Sequence, residues 1–376
     1  MGEQTQVFQT FKRVVVKVGT SSVNYPNGKP NLFQIECLVR QLVDLYNQGK
    51  EVLLVTSGAV GAGAGKLGLK GRPKTIPEKQ AAAAVGQGVL MHIYEKIFAE
   101  YGVAVGQVLL TREDFSDRRR FLNARNALCT LFRFGVIPVI NENDTVAVDE
   151  IKLGDNDNLS ALVAGLVDAE ILFLLSDVEG LYTADPRKDP AARLIEDVYE
   201  ITPEIEELAG EAGSTMGTGG MTTKLQAARV AMHSGVVTVI AAAEKKDVLR
   251  RVIAGERDRT VFWPLENKLE NKKQWIAYSS TVHGKIFVDK GAARALSGQG
   301  KSLLPSGVTG VEGVFELGNT VSIIGPDGQE LARGLASYSS SEIEKIKGAQ
   351  SKDIARLLGH KYYDEVVHRN NMVMNL

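Results

Sequence analysis

Cysteine is nearly absent, since Cys37 and Cys129 are the only two in 376 residues. They fit no metal-ligand spacing and build no disulfide framework, so the expected compartment is a reducing one, the cytoplasm. Also missing is any uncharged apolar run near the roughly eighteen residues that a membrane span requires. The opening MGEQTQVFQTFKR has no apolar h-region, and Gln6 breaks the myristoylation pattern, which argues against a leader or a lipid anchor. Charge of one sign is lacking too, with 44 basic against 45 acidic residues. Nothing global therefore calls for nucleic acid or an acidic membrane surface. What is present is 44% hydrophobic content in a chain long enough for about two domains, each with a sizeable core.

No Walker pattern, GxxxxGK[ST], occurs. A dinucleotide fingerprint does, as Gly63-x-Gly65-x-x-Gly68 after the apolar residues 51–56. That fingerprint needs an acidic residue ending the next strand roughly twenty residues on, and here the distance falls inside an Ala-rich helical stretch, 77–100. The glycines after Ser57 are instead expected to let backbone N–H groups approach phosphates or a carboxylate directly.

Apolar, β-branched runs at 13–18, 51–56, 103–110, 136–140, 170–176 and 236–240 read as six strands. Helical periods lie between or after them, at 32–47, 77–100, 118–134, 159–167, 225–234 and 246–253. The alternation predicts an α/β domain with an open, mainly parallel sheet sandwiched by helices. The carboxyl ends of its strands, at Thr20, Ser57, Asn141 and Asp177, would line one crevice.

Three stretches carry chemistry. Residues 141–160, NENDTVAVDEIKLGDNDNLS, hold clustered Asn and acidic side chains between a buried strand and a helix. Asn and Asp also make simple turns, but two such clusters around Gly154 favour a ligand site. Lys17 interrupts the first strand, and a buried lysine is costly unless its ammonium reaches an anion or water. The alternative is an edge strand with Lys17 in solvent. Residues 210–224, GEAGSTMGTGGMTTK, combine glycines, hydroxyls at Thr218, Thr222 and Thr223, and Lys224 at a helix start. They read as a phosphate cradle, with a flexible surface loop as the alternative.

Taken together, Val15-Val16-Lys17-Val18-Gly19-Thr20-Ser21, Val55-Thr56-Ser57-Gly58-Ala59, Asn141-Glu142-Asn143-Asp144, Gly154-Asp155-Asn156-Asp157-Asn158-Leu159-Ser160 and Gly217-Thr218-Gly219-Gly220-Met221-x-Thr223-Lys224 resemble the amino-acid kinase family. The match runs in order through most of the first 265 residues. The lysine strand and the Ser-Gly turn are shared across that family, whereas NEND and GDNDNLS are similar to its glutamate-phosphorylating branch. The resemblance implies ATP-dependent phosphorylation of the γ-carboxylate of L-glutamate, the first step of proline synthesis. It also implies Mg2+ with the ATP, proline as feedback inhibitor, and a homo-oligomer. Lys17 and Lys224 would neutralise the transferring phosphoryl group, and Asp157 would hold both lysines. Ser57, Asp144 and Asn156 would bind the amino acid. Ser176 and Asp177 would lie by the nucleotide, with Lys17, Thr218, Gly219, Gly220, Met221, Thr222, Thr223 and Lys224 by its phosphates. No protein cage for the metal is visible. The alternatives are a sister kinase for aspartate or acetylglutamate, and an RNA-binding protein with a retired kinase domain.

Beyond a charged linker at 266–281, residues 282–370 resemble a small, mostly-β PUA domain, with short β runs expected at 285–288, 313–317, 320–324 and 331–335. PUA modules are known mainly from RNA-modifying proteins. Residues 281–376 carry eleven Lys and Arg against ten Asp and Glu, so the basic footprint of an RNA binder is missing. The expected boundaries are thus 1–265 for the kinase domain, 266–281 for the linker and 282–370 for the PUA domain.

Overall fold

The computed structural model describes the chain except residues 1, 26, 70, 72, 112, 117, 147–155, 187, 211–219, 265–281 and 375–376. The expected linker at 266–281, Gly154, Thr218 and Gly219 therefore lie outside the described residues. The chain divides into two compact units, residues 1–116 with 123–266, and residues 117–122 with 267–376.

The first unit is built on one eight-stranded sheet. In chain order its strands are β1 Arg13–Val18, β2 Glu51–Val55, β3 Val105–Leu110, β4 Ile137–Glu142, β5 Ile171–Ser176, β6 Asp197–Val198, β7 Val237–Ala242 and β8 Thr260–Phe262. They lie side by side in the order β3-β4-β2-β1-β5-β7-β8-β6. Every neighbouring pair is parallel except β7 with β8. Six of these strands are the apolar runs read from the sequence. The other two, β6 and β8, span only two and three residues and are too short to show a period. The inner strands β1 and β5 are buried almost throughout, which is why they carry continuous Val, Ile and Leu runs without polar alternation.

The helix Leu32–Asn47 starts at Asn31, whose side chain accepts from Gln34 N, and buries Ile35, Leu38, Val39 and Leu42. These residues share one core cluster with Val14, Val16 and Val18 of β1. Side chains alternate across a strand, so Lys17 projects from the opposite face.

Three expectations change. The glycine run after Ser57, expected to bring backbone N–H groups to a ligand, is mostly helical, Ala59–Leu67, entered through Gly58 at φ 96°. Its glycines serve packing. A Cβ on Gly63 would lie 1.7 Å from Ala82 O, and one on Gly86 would lie 1.7 Å from Ala59 O. The helices Ala59–Leu67 and Ile76–Ala99 thus touch backbone to backbone, and these positions are not spent on phosphate. Second, the helix expected from 225 begins at Met221, which places Lys224 in its first turn and not in the loop before it. Third, the helix expected at 159–167 begins at Asn156, so Asn156 and Asp157 open it. Short polar side chains favour such a start, and a carboxylate there meets the positive end of the helix dipole.

The second unit has a five-stranded sheet, β10-β9-β11-β12-β13 in spatial order, of β9 Val282–Val288, β10 Val308–Glu312, β11 Thr320–Ile324, β12 Glu330–Leu335 and β13 Met372–Met374. Only β9 and β11 pair in parallel. The strand expected at 313–317 is absent, since pairing ends at Glu312 and the chain leaves the ladder through Gly313 at φ 91°. Phe315 is buried from within that turn and supplied the apolar signal. Among the described residues no helix is long and apolar enough to cross a membrane.

Candidate active site

Lys17 sits one residue before the carboxyl end of β1, in register with Val55 of β2 and Leu174 of β5. Its Nζ pairs with Asp157 Oδ1. The other oxygen, Oδ2, lies 3.2 Å from Lys224 Nζ and accepts a 3.2 Å hydrogen bond from Thr223 Oγ1. A strand and two helix starts therefore converge on one carboxylate. Asp157 has no exposed side-chain surface, and neither lysine exceeds 7%. Two ammonium groups thus share one buried carboxylate, and cations held out of water in this way are suited to meeting an anionic group.

Two further features suit an anion at this place. A Cβ on Gly19 would lie 3.8 Å from Lys17 Nζ, so the ammonium rests against the backbone of the turn leaving β1. The helix Met221–His233 starts at Gly220 with no side-chain cap and no acidic residue in its first turn, so an anion there would meet the positive end of the dipole. Thr223 Oγ1 also lies 2.9 Å from Gly220 O, so its one proton is shared between that carbonyl and Asp157. Thr222 Oγ1 reaches Ala209 O at 3.4 Å, and Met221 is buried. At the end of β5, Ser176 Oγ donates to Asp177 Oδ1 at 2.9 Å.

On the side of β2 and β4, an amide network takes over. Asn156 Nδ2 lies 2.6 Å from Thr56 O, 2.8 Å from Ser57 Oγ and 2.8 Å from Asn141 Oδ1. Thr56 Oγ1 is 2.8 Å from Tyr94 OH. Burial pushes the Tyr94 phenol up to about 12 against the pull of that hydrogen bond, so it stays protonated at any working pH. Asn24 Nδ2 donates to Gly58 O at 3.0 Å and holds the Ser57–Gly58 turn. Asp144 is half-buried in the turn after β4. Gln87 was not foreseen, although Asn141 donates to its Oε1 at 2.8 Å. The one signal was an amide set between two glycines in the middle of the apolar helix Ile76–Ala99.

The arrangement thus joins a cationic, buried centre to a polar floor able to read a small polar molecule. The Amino acid kinase family matches residues 12–242 of the chain, and the PUA domain matches residues 284–358. A glutamate 5-kinase of Moorella thermoacetica is 57% identical over 363 residues, which cover 96% of each chain. One of Carboxydothermus hydrogenoformans is 53% identical over 370 residues, or 98% of this chain and 99% of the relative. Among solved structures, carbamate kinase from Giardia lamblia bound to AMP-PNP superposes with a TM-score of 0.51 at 15% identity, covering 68% of this chain and 99% of that one. That likeness speaks for the fold. With the kinase match spanning most of the first unit and relatives aligned almost end to end, the chain belongs to the amino acid kinase family.

Proposed function

We propose that this protein transfers the γ-phosphoryl group of ATP to the γ-carboxylate of L-glutamate, giving ADP and L-glutamyl 5-phosphate at the head of proline synthesis. The observation that carries the phosphoryl-transfer reading is the buried Lys17–Asp157–Lys224 set beside an uncapped helix start. The glutamate acceptor rests on the names of the relatives, which align over nearly the whole chain. A γ-carboxylate oxygen attacks the terminal phosphorus, the bond to the bridging oxygen breaks, and ADP leaves with that oxygen. The nucleophile is already ionised at neutral pH, so no general base is needed. What the site must do is bring two anions together and stabilise the charge on the group in flight. Lys17 and Lys224 supply that charge, and Asp157 keeps both ammonium groups aimed.

Ser57, Asn156 and Asp144 receive the amino acid, while Ser176, Asp177 and residues 218–224 receive the nucleotide. Mg2+ accompanies ATP in chemistry of this kind. No metal-ligating group of three His, Cys, Asp or Glu stands among the described residues. Both oxygens of Asp157 are also taken by ammonium groups. Bound with the nucleotide, the ion would neutralise part of the charge on its phosphates. A biosynthetic kinase of this class works in the cytoplasm, where ATP and glutamate are abundant.

An ATP-dependent hydroxamate assay against glutamate, aspartate and acetylglutamate tests the reading. Glutamate alone is expected to react well, and a preference for either of the others replaces it as the substrate. Within the site, Lys224→Ala keeps the Lys17–Asp157 pair, so the protein should fold. Turnover should fall about 10²–10³-fold, the range for losing one preorganised charge-stabilising donor. Normal turnover in a folded variant removes Lys224 from the mechanism.

Asp144→Ala should weaken glutamate by about 2–5 kcal/mol, the cost of truncating one partner of a desolvated charge pair. Proline has the same α-carboxylate and a cationic α-nitrogen but no γ-carboxylate. It is therefore expected to compete with glutamate and to weaken in the same variant. Steady-state kinetics in which the constant for ATP rises as far as that for glutamate would remove Asp144 from the amino-acid site.

A further inference from the structure

The amide network has a fixed direction. Glu142 N can only donate, and it lies 2.9 Å from Asn141 Oδ1. Thr56 O can only accept, which sets Nδ2 of Asn156. With its oxygen committed to Glu142 N and Asn156 Nδ2, Asn141 turns its Nδ2 to Gln87, and Gln87 must answer with Oε1. The remaining end of that amide is therefore a donor. Gln87 Nε2 is buried and has no hydrogen-bond partner among the described residues, and the residue as a whole is only 8% exposed. Leaving a buried donor unpaired is unfavourable, and folded proteins keep few such groups outside functional sites.

We propose that Gln87 Nε2 is held for the α-carboxylate of the amino-acid substrate, which makes Gln87 a specificity-determining residue. This rests on the reading of the site as an amino-acid γ-kinase. The order of groups supports the assignment. Asn156 adjoins Asp157 and the two lysines, where the γ-carboxylate must react. Gln87 stands two hydrogen bonds farther along the same chain, through Asn141. An acceptor is needed there with the charge to compensate a desolvated N–H, and the second carboxylate of the substrate has it. Asp144 carries the opposite sign and suits the ammonium on the same carbon.

The test compares Gln87→Leu and Gln87→Glu on two acceptors. 4-Aminobutyrate is glutamate without its α-carboxylate, and keeps both the ammonium and the reacting carboxylate. Gln87→Leu is expected to raise the KM for glutamate about 10- to 100-fold, with the KM for ATP unmoved. Reaction or competition by 4-aminobutyrate should change less than about threefold, within ordinary context dependence. Gln87→Glu keeps an acceptor for Asn141 but turns a carboxylate toward the substrate's own, so it should be the worse of the two on glutamate. An equal loss on both acceptors would mean that Gln87 only supports the fold. A Gln87→Glu protein with the wild-type KM for glutamate would equally overturn the contact. The ranking of the two variants on glutamate decides the matter even where 4-aminobutyrate binds too weakly to measure. Failure of the wild-type protein to phosphorylate glutamate at all would instead sink the reaction on which the inference stands.

Discussion

Asp157→Ala is expected to abolish measurable turnover and to destabilise the first unit by about 3–5 kcal/mol, the range for removing one partner of a buried ionic set. The expectation follows from geometry. Asp157 pairs with both buried ammonium groups, and alanine takes that shared carboxylate from Lys17 and Lys224 at once. Each lysine must then be neutralised or drawn toward water, and either response removes the charge from the place where it acts. Asp157→Asn keeps the volume and one acceptor, so it should fold better than the alanine variant while remaining severely impaired. Denaturant unfolding and single-turnover kinetics separate the two effects. An Asp157→Ala protein with an unchanged midpoint would show that the lysines do not depend on this carboxylate.

Gly86→Ala is expected to have the next largest effect, although no charge is involved. The added Cβ would lie 1.7 Å from Ala59 O, which is backbone and cannot swing aside. The two helices must separate, at the upper end of the about 1–3 kcal/mol known for overpacked cores, or beyond it. The damage should not stay local. Ala59–Leu67 begins at the Ser57–Gly58 turn, and Ile76–Ala99 carries Gln87 and Tyr94. The KM for glutamate should therefore rise together with the loss of stability, whereas the KM for ATP should move little. Gly63→Ala meets Ala82 O in the same way and should behave alike. A wild-type unfolding midpoint for both would mean that the helix contact is not tight in solution.

Some of this was written in periods and some was not. The helix Leu32–Asn47 and strand β1 were legible to the residue, because each buries one face or a whole run of apolar side chains. Lys17 stood out since a cation inside such a run demands a partner. The partner's identity needed the fold, as Asp157 lies 140 positions away in sequence. The glycines of 58–65 misled because a glycine admits either a ligand or another backbone, and local sequence does not distinguish them. Gly63 meets a helix that starts beyond Gly68, while Gly58 and Gly61 face Asn24 and Gly65 faces Gly28. Gln87 was invisible for a related reason. An amide's role depends on which of its two ends is already committed, and here that is settled by a backbone N–H at Glu142.

In the sheet, β1 stands between β2, which leads into Ser57, and β5, which ends in Ser176. Hydrogen-bonded strands are spaced about 4.8 Å apart, and packed parallel sheets hold that spacing firmly. On the proposed reaction the two substrates therefore meet along a ruler laid across the strands, with Lys17 at its midpoint. An acceptor shorter by one methylene stops about 1.5 Å short of the phosphorus, and the scaffold has no means of contracting to meet it. With its α-carboxylate held at Gln87, aspartate would then fall short, so the spacing of the strands turns a contact at one end of the acceptor into a measure of its length.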